Sequence, residues 1–164
     1  MTTDRNTGTE TLELNAFLCQ KGYHAIPFTK NAVGHLLVDV IVNGVKGIFI
    51  LDTGAGNTIV DTNHADRLQL ILQKDNTNFD GAGAGGQGLE VIPSKGNRLE
   101  IGSYVIPDFT LCVMTLFEHV SQALAKAGVH EDLSGVIGVD VLLPGKAIID
   151  YNEMMLYLLP DERL

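Results

Sequence analysis

The run Ile48-Phe49-Ile50-Leu51-Asp52-Thr53-Gly54-Ala55 drives an apolar strand straight into a carboxylate. Four consecutive apolar residues read as a buried strand, so Asp52 reaches its end in low-dielectric surroundings, where an unpaired charge is costly. Thr53 and Gly54 answer that problem. A hydroxyl and closely approaching backbone N–H groups can hydrogen-bond the carboxylate, and glycine permits a sharp turn. The structural alternative is a strand that ends in an Asx-type turn.

A second run, Ser134-Gly135-Val136-Ile137-Gly138-Val139-Asp140-Val141-Leu142, also carries an apolar pair into a glycine and then opens a short helix. Taken together, the two runs resemble the retropepsin-like aspartic proteases. In that family a hydrophobic-Asp-Thr-Gly-Ala loop is later crossed by a hydrophobic-hydrophobic-Gly turn, with a glycine-rich segment between them. The pattern extends over residues 36–159. The resemblance implies a mainly β, acid-protease (retropepsin-like) fold, a closed barrel-like structure with small helices.

The residues support that class independently. Residues 23–28 and 36–42 are rich in β-formers, and Leu36, Val38, Val40 and Val42 share one face by period two. Asn43-Gly44 between two apolar runs is a strong hairpin signal, so residues 36–42 pair antiparallel with residues 45–51. Residues 58–60 form a short strand, and Asp61 caps a short helix carrying Ala65 and Leu68. Strand character returns at residues 89–92, 97–101 and 109–116. Phe117, Val120 and Leu124 then have the spacing of one helical face, ended at Gly128. Residues 146–151 and 154–159 form a terminal hairpin, whose apolar second strand is either core or a chain–chain interface; the family's use of its termini favours interface. Many short strands joined by turn signals describe a barrel rather than a helical domain.

Length and charge narrow the classes further. At 164 residues the chain holds one domain, with residues 1–14 read as a flexible arm, residues 16–21 as a short helix, and residues 15–164 as the domain. A net charge of -9 opposes binding to nucleic-acid backbone or an anionic membrane surface. Cys19 and Cys112 are too few for a disulfide framework and read as packing residues in a reducing, cytoplasmic setting. Neither a secretory signal nor a membrane span is legible. His24, His35, His64, His119 and His130 lack paired ligand spacing, so no metal or other cofactor is expected.

Gly81, Gly83 and Gly86 formally match a dinucleotide-binding pattern, but a polar stretch precedes them and β-like residues follow, where a nucleotide loop needs a strand and then a helix. The resemblance instead makes this segment a flap: Gly81, Ala82, Gly83, Ala84, Gly85 and Gly86, with Ala55 opposite, would contact an extended peptide substrate. It also implies that Asp52, Thr53 and Gly54 are catalytic and that Val136, Ile137 and Gly138 support the catalytic loop. Peptide hydrolysis by this route needs two carboxylates sharing one proton, and the aspartic-protease dyad is the type case of that coupling. The chain has a single Asp-Thr-Gly, and neither Asp80-Gly81 nor Asp140 repeats its context. The second carboxylate must therefore come from another copy, which predicts a homodimer. The rival reading keeps the fold and drops the catalysis: a silent dimeric peptide-binding or scaffolding module.

Overall fold

Asn43 and Gly44 set the first antiparallel pair. β3 (Leu36–Val42) and β4 (Val45–Leu51) are paired from Val42 opposite Val45 to Leu37 opposite Ile50. Both turn residues take positive φ, 50° at Asn43 and 84° at Gly44, as a two-residue hairpin turn requires. Val38, Val40 and Val42 are buried on the face that alternation assigns to the core. The Asn43 side chain does more than turn the chain: its amide donates to Asn97 Oδ1 at 2.9 Å and to the Leu68 carbonyl at 3.1 Å, and its oxygen accepts from Arg98 N–H at 3.0 Å. These relations come from a computed structural model that describes residues 7–74, 90–128 and 130–161.

The remaining strands are β1 (His24–Pro27), β2 (Thr29–Lys30), β5 (Ile59–Asp61), β6 (Ile92–Ile101), β7 (Tyr104–Met114), β8 (Leu133–Ile137), β9 (Ile148–Asp150) and β10 (Met155–Leu158). One sheet runs β2-β3-β4-β8-β5-β7-β6, and β6 also pairs with β3. That last pairing, Ile41 with Glu100 and Val42 with Leu99, closes β3, β4, β8, β5, β7 and β6 into a barrel. Phe49, Val60, Leu99, Ile101, Leu111 and Ile137 fill its interior. Closure removes the free edges that an open sheet of this size would expose. The expected mainly β, closed barrel with small helices is the fold observed.

β6 and β7 merge what the sequence breaks into shorter strands. Pro93 is accommodated within β6, and Pro107 falls where the register shifts between Asn97 and Leu99, so its missing N–H interrupts no regular ladder position. Among the described residues the other elements are α1 (Thr7–Gln20), the 3-10 turn Thr62–His64, α2 (Glu118–Lys126) and α3 (Val139–Leu142). The helix expected at residues 16–21 begins instead at Thr7, inside the segment read as a flexible arm. Two contacts give it a seat: Leu18 is buried, and Asn15 Nδ2 donates to the Tyr157 hydroxyl at 3.2 Å. Cys19, read as a packing residue, lies exposed on this helix, whereas Cys112 is buried. On α2, Phe117 and Leu124 are buried as expected; the side chain of Val120 is outside the described set.

The terminal hairpin forms as expected, but its apolar strand is core. β10 lies between β1 and β9 in a three-stranded sheet, so both of its edges are already paired. Leu156, Tyr157 and Leu158 are fully buried. The preference for an interface role is therefore corrected for β10; the unpaired edges of this sheet belong to β1 and β9.

Strand β8 sits close against its neighbours at Gly135, where a Cβ would meet the Ile59 carbonyl oxygen at 2.1 Å and Phe49 Cε1 at 2.7 Å. Backbone cannot yield as a flexible side chain can. Gly135→Ala is expected to destabilise the fold by about 2–3 kcal/mol, seen as a lower urea midpoint with an unchanged m-value.

Candidate active site

The site is built where β8 passes between the strands on either side of the Asp52 loop. β4 pairs with β8 in parallel, Leu51 opposite Ile137, while β5 pairs with the other side of β8. The loop from Asp52 to Thr58 must therefore span β8, and the Gly138 turn lies directly beneath it. Asp52 N–H donates to the Ile137 carbonyl at 3.0 Å, and Val139 N–H donates to the Ala55 carbonyl at 2.8 Å. A Cβ at Gly138 would stand 2.6 Å from the Asn57 carbonyl oxygen and 2.7 Å from that of Ala55, so only glycine fits the crossing.

Two polar residues clamp this crossing. Thr58, fully buried, donates its hydroxyl to Asp140 Oδ1 at 2.7 Å and its N–H to Asp140 Oδ2 at 2.9 Å. The same hydroxyl accepts from Gly138 N–H at 3.1 Å. Asp140, set aside as a second catalytic acid, thus holds the end of the Asp52 loop against the start of α3. Sequence reading missed both partners. The available signal was an acid two residues beyond the glycine turn and a threonine just before a buried strand.

Asp52, Thr53 and Gly54 themselves are exposed. This corrects the expectation that Asp52 ends in low-dielectric surroundings: within one chain, the strand is buried and its carboxylate emerges at the surface. Gly54 N–H donates to Asp52 Oδ1 at 2.8 Å, as the turn chemistry predicts, and Thr53 makes no side-chain hydrogen bond to a described residue. Ala55 is buried with Phe117, Leu124, Leu133 and Val136. Asp52 and Thr53 line a cleft of about 450 Å³ whose other walls include His35, Val136, Ile149 and Tyr151. Ile137 and Gly138 lie behind it. The glycine-rich segment, Gly81 to Gly86 by number, lies outside the described residues.

A model of the aspartyl protease family matches residues 38–141, more than half of the chain and including both crossing loops. The chain belongs to the aspartyl protease family. Among solved structures, the retroviral protease-like domain of Ddi1 from Leishmania major aligns at 19% identity and TM-score 0.51, over 79% of this chain and 98% of that one. A retropepsin-like aspartic protease from Rickettsia conorii aligns at 21% identity and TM-score 0.49, over 84% and 88%. EIAV protease, solved with an inhibitor, aligns at 20% identity and TM-score 0.46, over 70% and 91%. A search of curated protein sequences found no match.

Other reactive constellations in this aspartyl protease-family chain are structural. His64 lies 2.9 Å from Asp132 and 3.2 Å from Ser134 Oγ, which has the composition of a hydrolase triad. However, Ser134 is fully buried, and a Cβ at Gly47 would stand only 2.7 Å from its Oγ, leaving no room for an acyl group. Arg67 also donates to Ser134 Oγ at 3.0 Å and to the Lys46 carbonyl at 2.8 Å. The cluster ties the turn after β5 to β4 and β8. Cys112 is no nucleophile either, because burial, with Asp140 adding to it, pushes its thiol up to about 11.

Asp61 anchors the far end of the cleft region. It caps the 3-10 turn Thr62–His64, accepting from Asn63 N–H at 3.0 Å, and also accepts from Leu116 N–H at 2.9 Å and Phe117 N–H at 3.0 Å. Burial is the largest single influence and raises its pKa, but the N–H bonds from Phe117, Leu116 and Asn63, with nearby His64, outweigh it and hold the carboxyl below its ordinary 3.8.

A folded-state pKa below the unfolded one contributes stability at pH values above 3.8, lost as pH falls through the lowered value. Chemical denaturation at pH 6 and pH 3 is expected to show Asp61→Asn costing clearly less at the lower pH. The clamp is tested by Thr58→Val, which keeps the shape and removes the hydroxyl. It leaves Gly138 N–H and one Asp140 oxygen without their partner, and a loss of about 2–4 kcal/mol in unfolding free energy is expected.

Proposed function

We propose that this chain is an aspartic endopeptidase working as a homodimer, with one Asp52 from each copy forming the catalytic pair. The observation that carries the reading is the exposed Asp52, held rigidly by the clamped crossing at the edge of a peptide-sized cleft. Its carboxylate has one hydrogen bond to a described residue, from Gly54, so acceptor capacity remains for a water and a second carboxyl. A chain with one Asp-Thr-Gly meets the need for two acids by two-fold symmetry, since an isologous contact at the loop brings both copies of Asp52 to the axis.

In the paired site the two carboxyls hold one proton between them, because two like charges at close range cannot both ionise. The unprotonated carboxylate takes a proton from the bound water as its oxygen attacks the scissile carbonyl carbon. The protonated partner donates to the carbonyl oxygen, giving a neutral gem-diol. Collapse breaks the C–N bond, with one proton passing to the leaving amine and one returning to the pair. In this reading the Thr53 hydroxyls bond across the two-fold to the opposite loop, keeping the carboxylates coplanar. Substrate lies extended across the axis with main-chain hydrogen bonds of the strand-addition kind, and the segment from Gly81 to Gly86 acts as the flap.

Cleavage of a diverse peptide mixture, read by mass spectrometry, is expected for the native chain and to fall by at least about 10³-fold in Asp52→Asn. Adding an equal amount of Asp52→Asn to the native chain is expected to reduce activity to about half through mixed dimers. Undiminished cleavage by Asp52→Asn would overturn the assignment, and activity indifferent to the added variant would overturn the two-chain site.

A further inference from the structure

His35 stands on the cleft wall beside Asp52 and belongs to none of the machinery described so far. Its backbone is fixed by a tight turn built on buried Asn31. The Asn31 N–H donates to the His35 carbonyl at 3.0 Å, and Asn31 Oδ1 accepts from His35 N–H at 2.8 Å and Val33 N–H at 3.2 Å. Asn31 Nδ2 in turn donates to Glu131 Oε2 at 2.8 Å. The imidazole is thus delivered to one place by a loop with little freedom.

The ring's two nitrogens have different surroundings. Nδ1 is shut away from solvent, and neither ring nitrogen makes a hydrogen bond to a described residue. An enclosed N–H without an acceptor is among the rarest arrangements in folded proteins, whereas an under-used lone pair is tolerated more readily. The proton of the neutral ring therefore belongs on Nε2, which leaves Nε2–H as the ring's available donor. Leu36, Ile50, Leu116, Phe117, Val136 and Ile149 supply the apolar part of the wall. Besides His35, the polar side chains lining it are Asp52 and Thr53, engaged by the chemistry, and Tyr151, two-thirds exposed and packed edge-on to Phe28.

We propose that His35 is a specificity-determining residue: its Nε2–H donates to a neutral acceptor at the tip of a large substrate side chain seated beside the scissile bond. Such a pocket favours tyrosine over phenylalanine, and glutamine over leucine, at the residue flanking the cleaved bond. An anionic tip is disfavoured by neighbouring Asp52 and by the chain's net charge of -9. The inference rests on the aspartic endopeptidase reading given above.

The test uses the full-length native chain, His35→Phe and His35→Gln with two peptide pairs, each pair differing only in Tyr against Phe or Gln against Leu beside the cleaved bond. The native chain is expected to show kcat/KM about five- to tenfold higher for the acceptor-bearing member of each pair. His35→Phe is expected to lose that preference while cleaving the phenylalanine peptide within about twofold of the native rate, and His35→Gln, which restores a donor, to regain part of it. Equal preference in all three proteins would overturn the proposal. So would an unchanged preference accompanied by a shifted dependence of activity on protein concentration, which would give His35 to the chain–chain contact instead. Cleavage lost in Asp52→Asn but blind to His35 removes this inference alone; absence of any Asp52-dependent cleavage removes the endopeptidase reading and this inference with it.

Discussion

The crossing of β8 beneath the Asp52 loop is the constraint on which the rest of the molecule depends. It joins β4 in parallel to one side of β8 and β5 to the other, so one short segment determines the positions of three strands. Its tolerances are backbone to backbone. Gly135 lies under the Ile59 carbonyl and Gly138 under those of Asn57 and Ala55. Thr58 and Asp140 then convert a close approach into a locked one, because one buried hydroxyl donates to Asp140 and accepts from Gly138 N–H, tying both sides of the crossing through a single atom.

That lock has a consequence for chemistry. In the proposed endopeptidase the catalytic carboxylate must be held within a fraction of an ångström, yet a group that is to meet substrate cannot be packed into the core. Here the rigidity sits one layer below the surface, in Thr58, Asp140 and Gly138, while Asp52 and Thr53 stand exposed above it. Asp61 plays a comparable part nearby, tying the chain entering α2 to the end of β5 through two N–H bonds. The cleft thus lies between these two tied segments, and His35 stands on its wall with Asp52, Thr53 and Tyr151.

Local chemistry made much of this legible in advance. Asn43-Gly44 places both hairpin strands to the residue, because only a two-residue turn with positive φ at both positions connects runs of that spacing. The Asp-Thr-Gly loop and the Gly138 turn are readable for the same reason: glycine at a close approach has no substitute. The N-terminal helix was shortened and its first turns read as arm, because a polar segment's order depends on distant contacts such as Asn15 with Tyr157. The Thr58–Asp140 pair was missed because the two residues are 82 positions apart and each is unremarkable alone.

What the amino-acid sequence determined by itself was therefore whatever resides in a single turn or in strand periodicity: a mainly β chain, the β3–β4 hairpin, the acid loop and the glycine turn that crosses it. Tertiary structure decided what depends on which surfaces meet. It closed the barrel through β3 and β6, put β10 in the middle of its sheet rather than at an edge, and brought Asp52 out to the surface instead of leaving it in the core. It also sealed Ser134 while placing His35 on the cleft wall. The physical reason is range. Turn geometry is a property of two to four adjacent residues, whereas burial, and with it the role of every polar side chain, is set by neighbours supplied from far along the chain.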